Sequence, residues 1–359
     1  MFMLSPGSFV YGSAQSKVVF GHGTLLQLGP ELARIGASRA LLLSTPGRGG
    51  LAGQAEAAAD GRVAGRFAGA RMHTPVEVTE QALAALRDMK ADALVSVGGG
   101  STTGLGKALS LRTGLPQIAV ATTYAGSEMT PTVGETKDGL KTVQRKESIR
   151  PDTVIYDVDL TLDLPVGVSV TSGMNAIAHA AEALYARDAN PVTTLMAEEG
   201  IRALAAALPA IKADPRNADA RAAALYGAWL CGICLGTVGM ALHHKLCHVL
   251  GGSFDLPHAE THTVILPYAM AYNAPAAPQA MRRIARALNA ETAAGGLWSL
   301  NRTLDAPASL AAIGMPGDGI ARAAGIAMQN PYWNPRALEP AAILQLLRRA
   351  QTGENPESV

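Results

Sequence analysis

Histidines are the residues of this chain whose spacing points most directly to chemistry. Six of its eight histidines lie between residues 179 and 262, at His179, His243, His244, His248, His258 and His262. Asn175 and His179 are four residues apart in a helical pattern, so their side chains share a helix face, and His244 and His248 repeat that spacing. Buried imidazoles cost free energy unless they are paired. This cluster therefore predicts a metal site, a proton relay or an anion site.

A glycine turn is the first candidate for binding a phosphate. Gly98, Gly99, Gly100 and Ser101 follow the apolar run ALVSV and precede the helical stretch TTGLGKALSL. Glycines at a strand-to-helix turn let the backbone approach an anion, toward which the first helical amides point. The turn is neither G-x-G-x-x-G, since Thr103 takes the sixth position, nor a Walker loop. A phosphate site and an ordinary glycine turn are both compatible with these residues.

A second cluster of small polar residues follows the run QIAVA. It contains Thr122, Thr123, Tyr124 and Ser127. The carboxyl ends of parallel strands line the ligand crevice of an open sheet, so two such loops can face one site. The alternative is a helix cap made by Ser127 or Thr130. Together the two loops favour a dinucleotide site.

The pattern of apolar residues divides the chain into two parts. Short β-rich runs alternate with amphipathic stretches up to about residue 160, which predicts a largely parallel sheet with helices on both faces. The predicted strands are 17–21, 40–44, 93–97, 117–121 and 153–157. Beyond residue 161 the patterns are helical. We therefore expect an α/β dinucleotide-binding domain at 1–160 and an all-α domain at 161–359 that carries the histidines.

Composition excludes several classes of partner. A formal net charge of +1 gives no basis for binding nucleic acid or a membrane surface. Residues 222–242 are uncharged and long enough to span a bilayer, but the run is solitary and leads directly into HHKLCH. A buried core helix is the favoured interpretation. The three cysteines are too few for a disulfide framework, which predicts a cytoplasmic protein.

The motifs resemble those of the iron-containing alcohol dehydrogenase superfamily. The segments that carry the resemblance are SGMNAIAHAAEA, HHKLCHVLGG, DLPHAETHTVILPYAMAYN, GGGSTTGLGKA, TTYAGSE and FVYG with VVFGHGTL. The resemblance covers most of the chain in the same order. It implies a nucleotide-binding α/β domain followed by a helical domain, a fold shared with dehydroquinate synthase, and a homodimer that uses the FVYG strand.

The resemblance also implies positions for metal ligands. They correspond to Asn175, His179, His244 and His258, but the family has an aspartate where this chain has Asn175. A neutral amide is a weaker ligand for a hard cation than a carboxylate. Together with NPYWNPR at 330–336, this departure is similar to the maleylacetate reductase branch, which is described as metal-free. His244, His258 and Asn175 would then form a remnant of the metal pocket.

That branch implies reduction of the carbon–carbon double bond of maleylacetate to give 3-oxoadipate in the catabolism of aromatic compounds. The substrate is a dicarboxylate, and the enzyme must stabilise negative charge on the ketone oxygen and protonate carbon. We expect His243, Lys245 and His179 to be substrate-facing cations or donors. His248 matches the family position near the nicotinamide.

The loop after the second strand bears on the choice of cofactor. Many relatives carry an aspartate there that repels a 2′-phosphate, whereas this chain continues with Thr45 and Pro46. We therefore expect both NADH and NADPH to be accepted and no metal to be needed. Two alternatives stay open: a metal-dependent alcohol or polyol dehydrogenase, and a dehydroquinate-synthase-like lyase.

Overall fold

The computed structural model describes residues 9, 11–12, 16–137 and 140–358. The chain divides into two units. One contains Ala14–Leu164 with Arg216–Leu225, and the other contains Pro165–Pro215 with Tyr226–Val359. The FVYG segment at 9–12 includes Val10, which lies outside the described residues.

A parallel sheet forms the centre of the α/β unit. Its strands are β1 Lys17–Gly21, β2 Ala40–Leu43, β3 Val63–Phe67, β4 Ala93–Gly98, β5 Gln117–Ala121 and β8 Thr153–Asp157. Their order is β1-β8-β5-β4-β2-β3, and every neighbouring pair is parallel. The five predicted strands are confirmed. Strand β3 was not predicted, because Gly65 and Arg66 interrupt its apolar pattern.

Helices cover both faces of this sheet. They are α1 Leu28–Arg34, α2 Gly49–Ala57, α3 Val76–Asp88 and α4 Gly100–Thr113. Leu42 and Val95 pack with α1 and α2 on one face, whereas Leu41 and Leu94 pack with α3 and α4 on the other. Alternate residues of a strand point to opposite faces, so these apolar runs are buried on both sides.

An antiparallel hairpin of β6 Thr132–Lys137 and β7 Leu140–Arg145 lies outside the parallel sheet. The sequence analysis did not predict it, because both strands are rich in polar residues. Glu135 of β6 is buried and accepts hydrogen bonds from Arg112 at 3.0 Å and Thr79 at 3.1 Å. These bonds tie the hairpin to α4 and α3.

The second unit is helical throughout the part that the structure describes. Its helices are α5 Val166–Ala183, α6 Pro191–Ala213, α7 Ala218–Thr237, α8 Leu242–Phe254, α9 His258–Asn273, α10 Pro278–Ala287, α11 Ala293–Thr303, α12 Gly319–Ala327 and α13 Pro340–Thr352. Helix α5 packs against α6 and α9, and α9 packs against α8. Nearly all of α5 is buried, which explains its richness in alanine and its single charged residue, Glu182.

The apolar run at 222–242 is divided between two helices. Helix α7 ends at Thr237 and α8 begins at Leu242. Among the described residues no single helix is long and apolar enough to cross a membrane; α7 and α8 meet the length and composition criteria only together, as a pair bent by 94°.

Residues 216–225 group with the α/β unit, although the sequence analysis placed them in the helical half. Arg221 explains this grouping because its side chain is fully buried there. It donates hydrogen bonds to the Tyr124 hydroxyl at 3.3 Å and to the Leu164 carbonyl at 2.8 Å.

Candidate active site

The glycine turn connects β4 directly to α4. Gly98 has φ of 146°, and a Cβ there would lie 2.9 Å from Thr102 Oγ1. A Cβ on Gly99 would lie 2.7 Å from Thr123 Oγ1, so neither position accepts a side chain without a shift. No side chain caps the start of α4. The first amides of α4 are therefore available to an anion, as a phosphate site requires.

The three predicted cofactor loops follow three adjacent strands. Thr45 and Pro46 follow β2, Gly98–Ser101 follow β4, and Thr122 and Thr123 follow β5, in a sheet where β4 lies between β2 and β5. The Thr122 amide donates to the Gly98 carbonyl at 3.0 Å, which joins two of the loops. Ligands of open parallel sheets bind at this edge. The arrangement fits a dinucleotide whose pyrophosphate lies at the start of α4.

Tyr124 and Ser127 of the second loop each have a hydrogen-bond partner within the protein. Tyr124 is completely buried and its hydroxyl accepts a hydrogen bond from Arg221 at 3.3 Å, so its predicted contact with the cofactor stays a prediction. The Ser127 hydroxyl accepts a hydrogen bond from Lys107 Nζ at 3.0 Å, and the Ser127 carbonyl accepts another at 2.9 Å. These hydrogen bonds hold the loop after β5 in place.

Lys107 was not identified by the sequence analysis, although it belongs to the GGGSTTGLGKA motif. Its ammonium group is buried and also donates to Thr130 Oγ1 at 3.0 Å. Burial lowers the pKa of Lys107 to about 7, while the Glu128 carboxylate acts in the opposite direction. A lysine inside an otherwise apolar helical stretch was the available signal.

The histidine cluster lies within the helical unit. Helix α5 contributes Asn175 and His179, α8 contributes His243, His244 and His248, and α9 contributes His258 and His262. Ring centroids are 5.3 Å apart for His179 and His244, 4.9 Å for His244 and His262, and 4.4 Å for His258 and His262. The structure thus brings together the histidines that the sequence analysis singled out, and His262, for which no role was predicted, lies among them.

Glu182 is the acidic residue of this cluster, and the sequence analysis missed it. Its carboxylate is fully buried and accepts a hydrogen bond from His244 Nδ1 at 2.7 Å. It also accepts from the backbone amides of Ala241 and His243, each at 2.7 Å. Glu182 follows Asn175 and His179 at helical spacing, which was the signal for a shared face.

Several polar atoms of the cluster are buried without a hydrogen-bond partner. They are Asn175 Oδ1, His179 Nδ1, His243 Nδ1, His244 Nε2 and His262 Nε2. Burial lowers the pKa of His179, His243 and His262 well below the usual value, and neighbouring imidazoles lower it further. Unpaired buried polar groups are costly, so this cluster is suited to a ligand that supplies hydrogen bonds and negative charge.

His243 lies deeper than the sequence analysis expected. Its ring is completely buried, and its Nε2 pairs with His262 Nδ1 at 2.9 Å. Burial and the neighbouring imidazoles lower the pKa of His243, so its ring is neutral before a ligand binds, and its role toward the substrate stays a prediction. His179, predicted to have the same role, is also buried and has a lowered pKa, so it is not a cation in this structure.

Lys245 and His248 lie on the more open side of α8. The hydroxyl of Tyr332 is 2.9 Å from His248 Nδ1, and Lys245 Nζ lies 5.7 Å from the Tyr332 ring centroid. Tyr332 belongs to the NPYWNPR segment, which the sequence analysis used only for the resemblance. His248 is therefore placed with the catalytic candidates, and its contact with the nicotinamide stays a prediction.

The positions that correspond to the family's metal ligands are Asn175, His179, His244 and His258. Asn175 offers only a neutral amide oxygen. Among the described residues, the one trio of His, Cys, Asp or Glu side chains with ligand atoms all within 4.8 Å is His243, Cys247 and His262. Two of those atoms already form the hydrogen bond between His243 and His262. His179, His244 and His258 are not among the residues that meet this distance, and a reaction without a metal stays a prediction.

The parallel sheet with its phosphate turn and the helical unit with its histidines define a nucleotide-dependent oxidoreductase. The chain belongs to the iron-containing alcohol dehydrogenase family. The family model described as "Iron-containing alcohol dehydrogenase" matches residues 15–158, and the one described as "Fe-containing alcohol dehydrogenase family, C-terminal" matches residues 169–351.

Individual relatives are similar over nearly the full length. The chain is 55% identical to a maleylacetate reductase from Rhizobium sp. (strain MTP-10005), with 97% of this chain and 99% of the relative covered. It is 53% identical to the maleylacetate reductase of Burkholderia cepacia, with the same coverage. The crystal structure of the maleylacetate reductase from Agrobacterium tumefaciens superposes with a TM-score of 0.94 at 52% identity, covering 98% of this chain and 100% of that one.

Proposed function

We propose that this protein reduces the carbon–carbon double bond of maleylacetate to give 3-oxoadipate, with NADH or NADPH and without a metal. The proposal places the reaction in the breakdown of aromatic compounds. It is supported by the names of relatives at 53–55% identity and by a helical site rich in unpaired imidazole atoms. The homodimer and the cytoplasmic location predicted from the sequence stay predictions.

The α/β unit supplies the residues for a nicotinamide cofactor. The open amides at the start of α4 are suited to the pyrophosphate, and Gly98 and Gly99 let the backbone of the turn pack closely against Thr102 and Thr123. Thr45 and Pro46 introduce no negative charge at the neighbouring strand end. When bound, the reduced cofactor supplies the hydride.

The observation that carries the proposal is the set of unpartnered buried atoms in the helical unit. Three histidines there have lowered pKa values because they are buried beside one another. A dicarboxylate offsets the cost of the unpartnered atoms because it accepts hydrogen bonds. It also offsets the lowering of the pKa values because its negative charge favours the protonated imidazoles. A neutral primary alcohol does neither to the same degree.

Hydride addition to the conjugated double bond leaves negative charge on the ketone oxygen, and a proton must reach the carbon next to the ketone. Lys245, His248 and His258 are incompletely buried members of the cluster and are suited to bind the carboxylates and the oxygen. His244 has an unpartnered Nε2 and a carboxylate behind it, so it is suited to hold the transferred proton.

The proposal is tested by the oxidation of NADH and NADPH with maleylacetate, on protein treated with a chelator and checked for residual metal. Full activity without metal supports the proposal. Activity that requires Fe²⁺ or Zn²⁺, or that is seen only with simple alcohols and aldehydes, would assign the protein to the metal-dependent dehydrogenases. Turnover of a substrate without net change in NAD(P)H would favour a lyase.

A further inference from the structure

Glu182 is a buried carboxylate with a complete set of partners. Oε2 accepts from His244 Nδ1 and from the Ala241 amide, and Oε1 accepts from the His243 amide at 2.7 Å and the Tyr185 hydroxyl at 3.2 Å. A buried carboxylate is stable only with such bonds. Both oxygens are therefore engaged, and one of them is engaged by a catalytic candidate.

The contact between Glu182 and His244 determines which nitrogen of His244 is presented to a ligand. A carboxylate accepts hydrogen bonds only, so Nδ1 carries the proton toward Glu182. The other nitrogen, Nε2, is buried and has no partner within the protein. The ring is thus held in one orientation with Nε2 directed away from Glu182.

We propose that Glu182 is a positioning residue of the reaction, which fixes the orientation and tautomer of His244 so that Nε2 is the atom that meets the substrate. This inference rests on the proposed function. For the step, Nε2 first takes up a proton from solvent when the substrate dianion binds, so that the ring carries a proton on each nitrogen. Hydride from the reduced nicotinamide adds to the double-bond carbon farther from the ketone, and the π electrons of the double bond move onto the ketone oxygen as an enolate. The Nε2 proton then passes to the carbon next to the ketone, and the ketone re-forms. The Nδ1 proton stays with the hydrogen bond to Glu182.

A second contribution of Glu182 is structural and must be separated from the first. Its bonds to the amides of Ala241 and His243 hold the first turn of α8, where no side chain of α8 acts as a cap. Glu182→Gln retains one acceptor oxygen and turns the other into a donor. One backbone amide then loses its partner, so this variant loses stability whatever its role in the reaction.

A double-mutant cycle distinguishes the two contributions. We expect Glu182→Gln to lower kcat for maleylacetate about a hundredfold, with KM changed by less than about threefold. In the His244→Gln background the same substitution should change kcat by less than about threefold, because a residue that acts through His244 has nothing left to position. Equal losses of kcat in both backgrounds would overturn the proposal and leave Glu182 with a structural role alone.

Tyr185→Phe is the matched control. It removes the hydroxyl bond to Oε1 and leaves the contact between Glu182 and His244 in place. Its kcat should stay within about twofold of that of the natural protein. A loss as large as that of Glu182→Gln would mean that any disturbance of the carboxylate lowers kcat, and this would overturn the specific role of His244.

A spectroscopic measurement does not depend on activity. With ¹⁵N-labelled histidine, the His244 resonances of the cofactor-free protein should show a protonated Nδ1, and Glu182→Leu, which leaves no acceptor beside Nδ1, should abolish or reverse this tautomer. An unchanged tautomer would overturn the proposal. If the natural protein does not reduce maleylacetate while the tautomer responds as expected, the proposed function fails and the positioning of His244 stands.

Discussion

Asn273 and Asn334 hydrogen-bond to each other twice through their side-chain amides. Asn273 Nδ2 donates to Asn334 Oδ1 at 3.0 Å, and Asn334 Nδ2 donates to Asn273 Oδ1 at 2.7 Å. Asn334 Oδ1 also accepts from the Leu242 amide at 3.4 Å, at the first residue of α8. The segment that contains Tyr332 is therefore attached both to the end of α9 and to the start of the helix that carries three of the histidines.

Tyr332→Phe tests whether the hydrogen bond between Tyr332 and His248 contributes to the reaction. The variant loses the hydroxyl bond to His248 Nδ1 but retains the aromatic ring. A hydrogen bond of this kind contributes about 0.5–1.5 kcal/mol, so kcat/KM for maleylacetate should fall roughly three- to tenfold. Steady-state kinetics at saturating NADH measure the change. Tyr268→Phe is the control, since its hydroxyl bonds to the Glu354 carbonyl at 2.8 Å, and equal losses in both variants would contradict a specific role.

Gly100→Ala tests the phosphate turn. A Cβ at this position would have only Ala125 Cβ within 4 Å, at 3.9 Å, so the protein itself accommodates the methyl group. A pyrophosphate bound against the first amides of α4 would collide with this methyl group. We therefore expect KM for NADH to rise about tenfold or more while the unfolding midpoint stays unchanged. Gly325→Ala, at an exposed position in α12 with no atom within 4 Å, is the control. An unchanged KM would place the pyrophosphate elsewhere.

Pro46→Asp tests the choice of cofactor. The loop after β2 has no acidic residue between Ser44 and Gly50, so kcat/KM for NADH and NADPH should differ by less than about a hundredfold. A carboxylate at this exposed position should repel a 2′-phosphate and lower kcat/KM for NADPH about tenfold relative to NADH. Pro46→Asn has nearly the same shape without the charge. If Pro46→Asn gives the same discrimination, the effect is not electrostatic.

The elements that the sequence predicted correctly are those with strong local patterns. The β1, β2, β4, β5 and β8 strands are largely apolar runs of four to six residues, and such runs identify strands of a parallel sheet. Strand β3 lies at the sheet edge with the sequence VAGRF. Both strands of the β6–β7 hairpin are rich in polar residues. Their pairing partners, rather than their own composition, stabilise them as strands.

The site was predictable only where its residues recur at short spacing. Asn175, His179, His244 and His248 are evident because helical spacing places each pair on one face. Glu182 and His244 are 62 residues apart, and only the packing of α5 near the start of α8 brings them into contact. The depth of His243 depends on its pairing with His262 of α9. Such tertiary contacts leave no local pattern in the sequence.

Lys107 gives a prediction on pH and stability. Its pKa is lowered from the ordinary 10.5 to about 7 in the folded protein because the ammonium group is buried. Between pH 7 and 10.5 the unfolded chain therefore binds this proton more tightly than the folded protein does. The free energy of unfolding should rise with pH across this window, by up to about 1.4 kcal/mol per pH unit from this group.

Lys107→Met removes that contribution. Urea unfolding at pH 7, 8 and 9 should show a difference between the natural protein and the variant that grows with pH in favour of the natural protein. Subtracting the unfolding free energies of the variant from those of the natural protein removes the contributions of the other titrating groups. A difference that stays constant with pH would contradict the lowered pKa.

The buried histidines predict that binding of the dicarboxylate is coupled to proton uptake. Burial and neighbouring imidazoles lower the pKa of His179, His243 and His262, so these rings are neutral near pH 7 before the ligand binds. A dianion beside them raises these values, because opposite charge favours the protonated form. Titration calorimetry of 3-oxoadipate in two buffers with different ionisation enthalpies should therefore show net uptake of protons. Equal binding enthalpies in the two buffers would contradict proton uptake. The carboxylates would then be bound by groups that are already charged, and Lys245 would be the first residue to substitute.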